Sequence, residues 1–335
     1  MLILPKKINP ASQINLVHTS SPVSKSDMVY FKKLVSAITK TYPNFKIFDV
    51  EQTILDLRYL AASENERLKQ FRRALKKVDW LAPIYGGTGC ADIIRYLKDD
   101  ELSLLRRNRP VVNGFSDTTF LLNYLYFKIR LLTFHYSNAC GLFVKNNIDQ
   151  FLKIITGDLT SYCYERKGYH WLNPNEGIKE KIEGIAIGGN LTTFRDLLDI
   201  CDIRPRSWED YILFIEDTGI DMEDLHRIII ALDERNIFMH IKAIVLGAMD
   251  EKSFSRTWSS LNFMHNKKGA PVDHIFEYLI SDVIEERIED RDPLYILKVD
   301  NFGHGIDKDQ MILPIGAKTT IYPSGKIEFT GPFVE

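Results

Sequence analysis

Ser116 ends a short apolar run, Pro110-Val111-Val112-Asn113-Gly114-Phe115, and Asp117-Thr118-Thr119-Phe120 opens an apolar helical pattern directly after it. A serine hydroxyl is a weak nucleophile unless the backbone holds it clear of the sheet and a base stands beside it. A sharp strand-to-helix turn with small neighbours meets the first condition, and Gly114 supplies the clearance. The first free N–H groups of the new helix, that of Asp117 above all, then face the oxyanion that forms when the hydroxyl attacks a carbonyl. Thr118 stands where a Gly-x-Ser-x-Gly elbow has its last glycine, and helix capping is the competing role for this serine.

A serine hydrolase also needs a base and a carboxylate that orients it. Among eight histidines, His304 lies between Gly303 and Gly305 just after an apolar strand, a loop end both exposed and anchored. His135 is its serious rival. His18 and His240 border strands and read as core or cap residues, whereas His170, His226, His265 and His274 lie in polar contexts. Glu216 ends the most apolar strand of the second half, residues 211–215, and is the favoured carboxylate. Asp217 is the alternative, although the next residue on a strand points to the other face. Gly86-Gly87-Thr88-Gly89 follows a further strand. It lacks the Lys-Ser/Thr of a P-loop and the third glycine of a dinucleotide fingerprint. Glycines there let a backbone N–H approach a reacting carbonyl as a second oxyanion donor, a plain glycine turn being the other reading.

These residues need a scaffold that brings strand ends together. Strands are expected at 14–18, 46–50, 80–85 and 110–115, alternating with helices at 27–39, 64–77, around Ile93, Ile94 and Leu97, and at 118–129. That alternation predicts a flavodoxin- or Rossmann-like parallel sheet with helices on both faces. In the second half, strands at 182–187, 211–215 and 241–247 enclose helices at 191–199 and 221–234, and short strands close the chain at 294–299, 311–315, 318–322 and 326–329. With 335 residues and 45% apolar composition, two domains are expected. These are an N-terminal α/β domain over 1–150 with the elbow, a link over 151–178, and a smaller C-terminal α/β domain over 179–335 with Glu216 and His304.

A net charge of −2 gives no basic footprint for nucleic acid. Cys90, Cys140, Cys163 and Cys201 show no Cys-x-x-Cys spacing, which argues against a zinc site and a disulfide framework. The start lacks a secretory pattern, and no apolar run is long enough to span a bilayer, so a cytoplasmic protein without membrane contact is expected.

Five blocks in order carry a family resemblance over nearly the whole chain: Gly86-Gly87-Thr88-Gly89, Gly114-Phe115-Ser116-Asp117-Thr118-Thr119, Gly188-Gly189-Asn190-Leu191, Leu213-Phe214-Ile215-Glu216-Asp217, and Phe302-Gly303-His304 with Leu313-Pro314-Ile315-Gly316. The sequence resembles the LD-carboxypeptidase family of serine peptidases, which also contains the microcin C self-immunity proteins. The resemblance implies a triad of Ser116 as nucleophile, His304 as base and Glu216 as orienter, with oxyanion donors from the backbone of Gly87 and Asp117. It further implies an active site at the junction of the domains, a homodimer, no metal or cofactor, and hydrolysis of an L-to-D amide bond that frees a terminal D-amino acid from a cell-wall tetrapeptide. One alternative substrate is a peptide-nucleotide antibiotic of the microcin C kind, for which Trp171 is the candidate platform under the base. A second alternative is an inactive peptide-binding relative.

The chain departs from the family pattern at Thr88, where an aromatic residue is usual, and at Tyr136-Ser137-Asn138, where glycine-proline is usual after the histidine. The usual Glu and Tyr after Glu216-Asp217 are also missing, and 251–292 is an added segment. There Phe254, Trp258, Phe263 and Met264 precede a helical stripe of Ile275, Leu279, Val283 and Ile288. That segment reads as a flap over the cleft, a dimer contact, or an excursion packed on its own domain.

Overall fold

The computed structural model describes residues 1–23, 28–41, 43–48, 59–142, 148–173, 178–220, 222–249, 294–306 and 309–335. The segment 251–292 lies outside the described residues. In the first half the chain runs β1 (Ile14–Val17), α1 (Met28–Thr41), β2 (Phe45–Phe48), α2 (Glu64–Leu75), β3 (Trp80–Pro83), α3 (Cys90–Ile94), α4 (Asp99–Asn108), β4 (Val111–Gly114), α5 (Thr119–Ile129) and β5 (Thr133–His135). Strands β1 to β5 are parallel in the order β2-β1-β3-β4-β5, the flavodoxin-like winding. Such a sheet is covered on both faces, so β1, β3 and β4 are buried at every position.

The helices follow their apolar stripes. Leu68, Phe71 and Leu75 of α2 are buried, and Ser63 caps its first turn by accepting from the Glu66 N–H at 3.3 Å. In place of one helix through Leu97, the chain breaks after Ile94 and restarts at Asp99, where the Glu101 carboxylate accepts from the Lys98 N–H. The α5 helix is buried on nearly all sides, because it lies between the two sheets.

The second half contains α6 (Ile148–Thr156), β6 (Ser161–Tyr164), β7 (His170–Asn173), β8 (Ile182–Asn190), α7 (Leu191–Ile200), β9 (Tyr211–Asp217), α8 (Met222–Asp233), α9 (Ile237–His240), β10 (Ala243–Met249), β11 (Tyr295–Gly303), β12 (Leu313–Ile315), β13 (Lys318–Ile321) and β14 (Ile327–Thr330). Its sheet runs β6-β14-β13-β8-β9-β10-β11-β7 among the described residues. Strands β8 to β11 are parallel, flanked by antiparallel strands on both sides. The stretch expected as a link thus carries the end of α6 and both edge strands of this sheet. A four-residue edge strand with one solvated face, such as Ser161–Tyr164, leaves only a weak period-two signal. No described helix is long and apolar enough to cross a membrane.

Two of the connections between the sheets, among the described residues, bear on the site. Strand β12 pairs with β5 and extends the first sheet, and the chain turns at once through Gly316 into β13 of the second. The second connection runs through α5. Asn123 donates from Nδ2 to the carbonyl of Gly188 (2.8 Å) and accepts the Gly188 N–H at Oδ1 (3.0 Å), while Thr119 Oγ1 accepts the Asn190 N–H (3.1 Å). The sequence reads Gly188-Gly189-Asn190 as a turn, yet β8 runs through all three residues, paired with Phe214, Ile215 and Glu216 of β9.

Replacing Asn123 by Leu leaves the buried N–H and C=O of Gly188 without partners. Unfolding in urea should therefore show a stability loss of about 3 kcal/mol. An unchanged midpoint would show that this pair does not hold the sheets together.

Candidate active site

Ser116 follows β4 with φ of 62°, in the left-handed region that non-glycine residues seldom occupy. Phe115 before it is extended, and a single 3₁₀ turn over Ser116–Thr118 leads into α5. A capping serine has extended backbone and accepts a helix N–H. Ser116 does neither, so the capping role is excluded and the residue stands on a strained elbow. The elbow is held by Asn138, whose Oδ1 accepts the Phe115 N–H (3.1 Å) and whose Nδ2 donates to the Phe115 carbonyl (3.0 Å). Thr118 Oγ1 donates to that carbonyl (2.9 Å) and is also 3.1 Å from Asn138 Oδ1. The departure from the family pattern at 136–138 thus supplies a side chain that pairs with the backbone next to Ser116. Sequence reasoning did not assign Asn138 a role; a polar triplet after an apolar strand was the available signal.

Behind the elbow lies a buried cation. Arg67 is 0% exposed and donates to the carbonyls of Thr19 (2.5 Å), Gly89 (2.7 Å) and Ala62 (3.1 Å), and to Asp92 Oδ2 (2.7 Å). It therefore ties the loop after β1 to the glycine turn after β3. In that turn Gly87 has φ of 98°, and a Cβ there would collide with Ser21. Ser21 Oγ in turn accepts the Thr88 N–H at 3.2 Å. Asp117 accepts the Cys90 N–H at 2.8 Å and is bonded by Ser20. Burial pushes its carboxyl up to about 6, against the pull of these hydrogen bonds and of Arg67.

Glu216 and His304 meet across the ends of β9 and β11. Oε2 of Glu216 accepts from the His304 backbone N–H (3.0 Å) and lies 2.5 Å from Nδ1 of its ring. Glu216 is 0% exposed. Burial raises its proton affinity, but the attraction and hydrogen bonds of His304, with a smaller contribution from His135, outweigh this and hold the carboxyl below its usual range. Asp217, the next residue and so on the opposite face of the strand, lines the same cavity as Ser116 and His304 but is engaged at the start of α7. It accepts from Asn190 Nδ2 (2.8 Å), the Thr192 N–H (2.9 Å) and Thr192 Oγ1 (2.6 Å) at the start of α7.

Ser116, Asp117, Gly87 and His304 line one cavity of about 800 Å³, and Glu216 lies behind His304. The structure thus brings together all five residues singled out for chemistry. His135, the rival base, is 0% exposed and is not among the cavity's lining residues. Trp171, the candidate nucleotide platform, is also absent from the lining. It sits on edge strand β7, packs edge-on against Tyr295 and donates from Nε1 to the Pro323 carbonyl at 3.1 Å, so its ring serves sheet packing.

If Asn138 holds the elbow, Asn138→Ala should slow covalent labelling of Ser116 by a fluorophosphonate about a hundredfold, the scale expected when a reacting group shifts by an ångström, with the fold intact by circular dichroism. An unchanged labelling rate would mean that the elbow holds its own shape.

Residues 14–136 match the LD-carboxypeptidase N-terminal domain and residues 183–321 the LD-carboxypeptidase C-terminal domain. A Vibrio cholerae protein named as a carboxypeptidase is 23% identical over 76% of this chain and 83% of its own. The microcin C7 self-immunity protein MccF of Escherichia coli is 26% identical over 56% of this chain and 62% of its own. Among solved structures, MccF superposes with a TM-score of 0.74 at 21% identity, over 99% of this chain and 100% of the other. Muramoyltetrapeptide carboxypeptidase from Oxalobacter formigenes does so with 0.70 at 21% identity, over 97% and 100%. These superpositions show a shared fold, and the two domain matches, in order along most of the sequence, show that the chain belongs to the LD-carboxypeptidase family.

Proposed function

We propose that this chain is a serine-type LD-carboxypeptidase that frees a terminal D-amino acid from a cell-wall tetrapeptide. The observation that carries the reading is the 2.5 Å contact between buried Glu216 and His304 Nδ1, with His304 and the strained Ser116 on one cavity. With Nδ1 engaged by the carboxylate, Nε2 is the ring atom left to serve the serine. In this mechanism Ser116 Oγ attacks the scissile carbonyl and its proton passes to His304 Nε2. The oxyanion is received by the backbone N–H groups of Gly87 and Asp117. Collapse breaks the C–N bond, and the imidazolium returns the proton to the departing amine. Water then attacks the acyl-serine, with His304 taking its proton; the bond between the acyl carbon and Ser116 Oγ breaks, the imidazolium returns the proton to Oγ, and the shortened peptide leaves, losing its acid proton to solvent. Glu216 stabilises the imidazolium in both halves and does not itself take the proton.

A second reading, hydrolysis of a peptide-nucleotide, has the support of the MccF likeness, since MccF structures hold aspartyl sulfamoyl adenosine and glutamyl sulfamoyl guanosine. Incubation with a muropeptide tetrapeptide and with an aminoacyl-nucleotide separates the two. Release of D-amino acid from the first is the expected result, and turnover of the second alone would replace this reading. Binding of either without turnover would make the chain an inactive relative. Ser116→Ala and His304→Ala should each lower turnover by several orders of magnitude, because triad members act as a unit. Near-wild-type turnover in either variant removes the triad.

His304 must be unprotonated to accept the serine proton, so the rate should fall on acidification. Burial also pushes the Asp117 carboxyl up to about 6, which makes it a second group whose charge changes on acidification. Asp117→Asn keeps an oxygen to accept the Cys90 N–H and cannot ionise. The acid limb should therefore persist in that variant; its disappearance would assign the limb to Asp117.

A further inference from the structure

His135 ends β5 beside the elbow strand, with Gly114 of β4 and Leu313 of β12 as its backbone partners. Its ring lies 5.0 Å from that of Phe115 and 5.4 Å from that of Phe302, centroid to centroid, and Phe115 in turn lies 4.7 Å from the His304 ring. Neither nitrogen of His135 has a hydrogen-bond partner among the described residues, and neither does Oε1 of Glu216. Buried polar atoms rarely stay unpaired, and here a neutral imidazole and a carboxylate oxygen both lack partners. The two groups act on each other: burial holds His135 at about 4, so it is uncharged at neutral pH, while attraction to Glu216 opposes that shift. A neutral imidazole has one N–H to give. The fold also reserves space for the ring. Gly189 has φ of 128°, and a Cβ there would stand 2.9 Å from His135 Nε2.

We propose that His135 is a positioning residue for the active-site carboxylate, donating its single N–H to Oε1 of Glu216 so that Glu216 is held between two imidazoles. This rests on the Ser-His-Glu reading above. The bond forms on a small rotation of ring or carboxylate, or through one bridging water. It fixes the carboxylate plane, so that Oε2 stays aimed at His304, and it draws charge away from Oε2. The described titratable groups around the carboxylate are His304 after β11, His135 on β5 and Asp217 beside it on β9; β8 contributes the uncharged Gly189 and Asn190. With the His135 donor removed, more charge rests on Oε2 and the proton affinity of His304 rises.

The test follows His304 by NMR of ¹⁵N-histidine-labelled protein without substrate. His135→Leu should raise the His304 titration midpoint and lower kcat about tenfold at unchanged KM, the lower end of the loss typical when an outer-shell partner is removed. His135→Gln, which keeps a neutral N–H donor, should restore both. Wild-type midpoint and kcat in the Leu variant, or equal damage from Leu and Gln, would overturn the proposal. Should the Leu variant fail to fold, the wild-type protein decides. An exchange-protected His135 N–H that shifts in Glu216→Gln supports the bond, and its absence overturns it. Turnover that survives Ser116→Ala would sink the hydrolase reading instead, and the substrate-free NMR result would then decide the His135 bond alone.

Discussion

A full negative charge held away from water is the constraint on which this site depends. Ionised Glu216 is tolerable at 0% exposure chiefly because His304 meets it with both backbone and ring, with a smaller contribution from His135. The chain must therefore return from β11 to the end of β9 at one fixed height, and the sheet is deformed to allow it. The pairing of β10 shifts register after Leu246 against both neighbours, so that Ala248 comes opposite Gly303 and Met249 opposite Asp217. Irregularities of this kind are common beside active sites, where they re-aim side chains. Lys298, itself nearly buried, donates to the Gly247 carbonyl at 2.8 Å within the shifted stretch.

Ser116 arises from one sheet, and His304 with Glu216 from the other. Their separation is thus set by how the sheets are locked together. That lock is polar and specific. Asn123 and Thr119 of α5 bond the backbone of β8 at Gly188 and Asn190, only a few residues from Ser116 along one helix and directly opposite Glu216 across one strand pair. An apolar interface of the same area could slide; amide-to-backbone pairs have one register. The elbow is itself fixed from a third direction by Asn138.

The strand-helix alternation, the stripes of α2 and α8, and the strand ends carrying Ser116, Glu216 and His304 were legible in the sequence, because each rests on a local pattern a few residues long. The supporting residues were not. Arg67 reads as one more charge on a solvated helix, yet its stem and head are buried because four acceptors from separate segments converge on it. Asn138 binds a backbone 23 residues away and Asn123 one 65 residues away, contacts that leave no periodic trace. Strands β6 and β7 escaped for the opposite reason: at a sheet edge, half-exposed and four residues long, their pattern is too weak to separate from loop.

The position of β12 bears on how the protein comes into being. Residues 313–315 complete the first sheet by pairing with 133–135, so during synthesis β5 waits as an open edge while well over a hundred further residues are made. Ser116 thus leaves the ribosome early and His304 late, and the strand that completes the first sheet bonds directly beside His135. Ser116 and His304 therefore meet only after most strands of the second sheet have been made, and a nascent chain stalled before residue 304 carries the serine without the histidine.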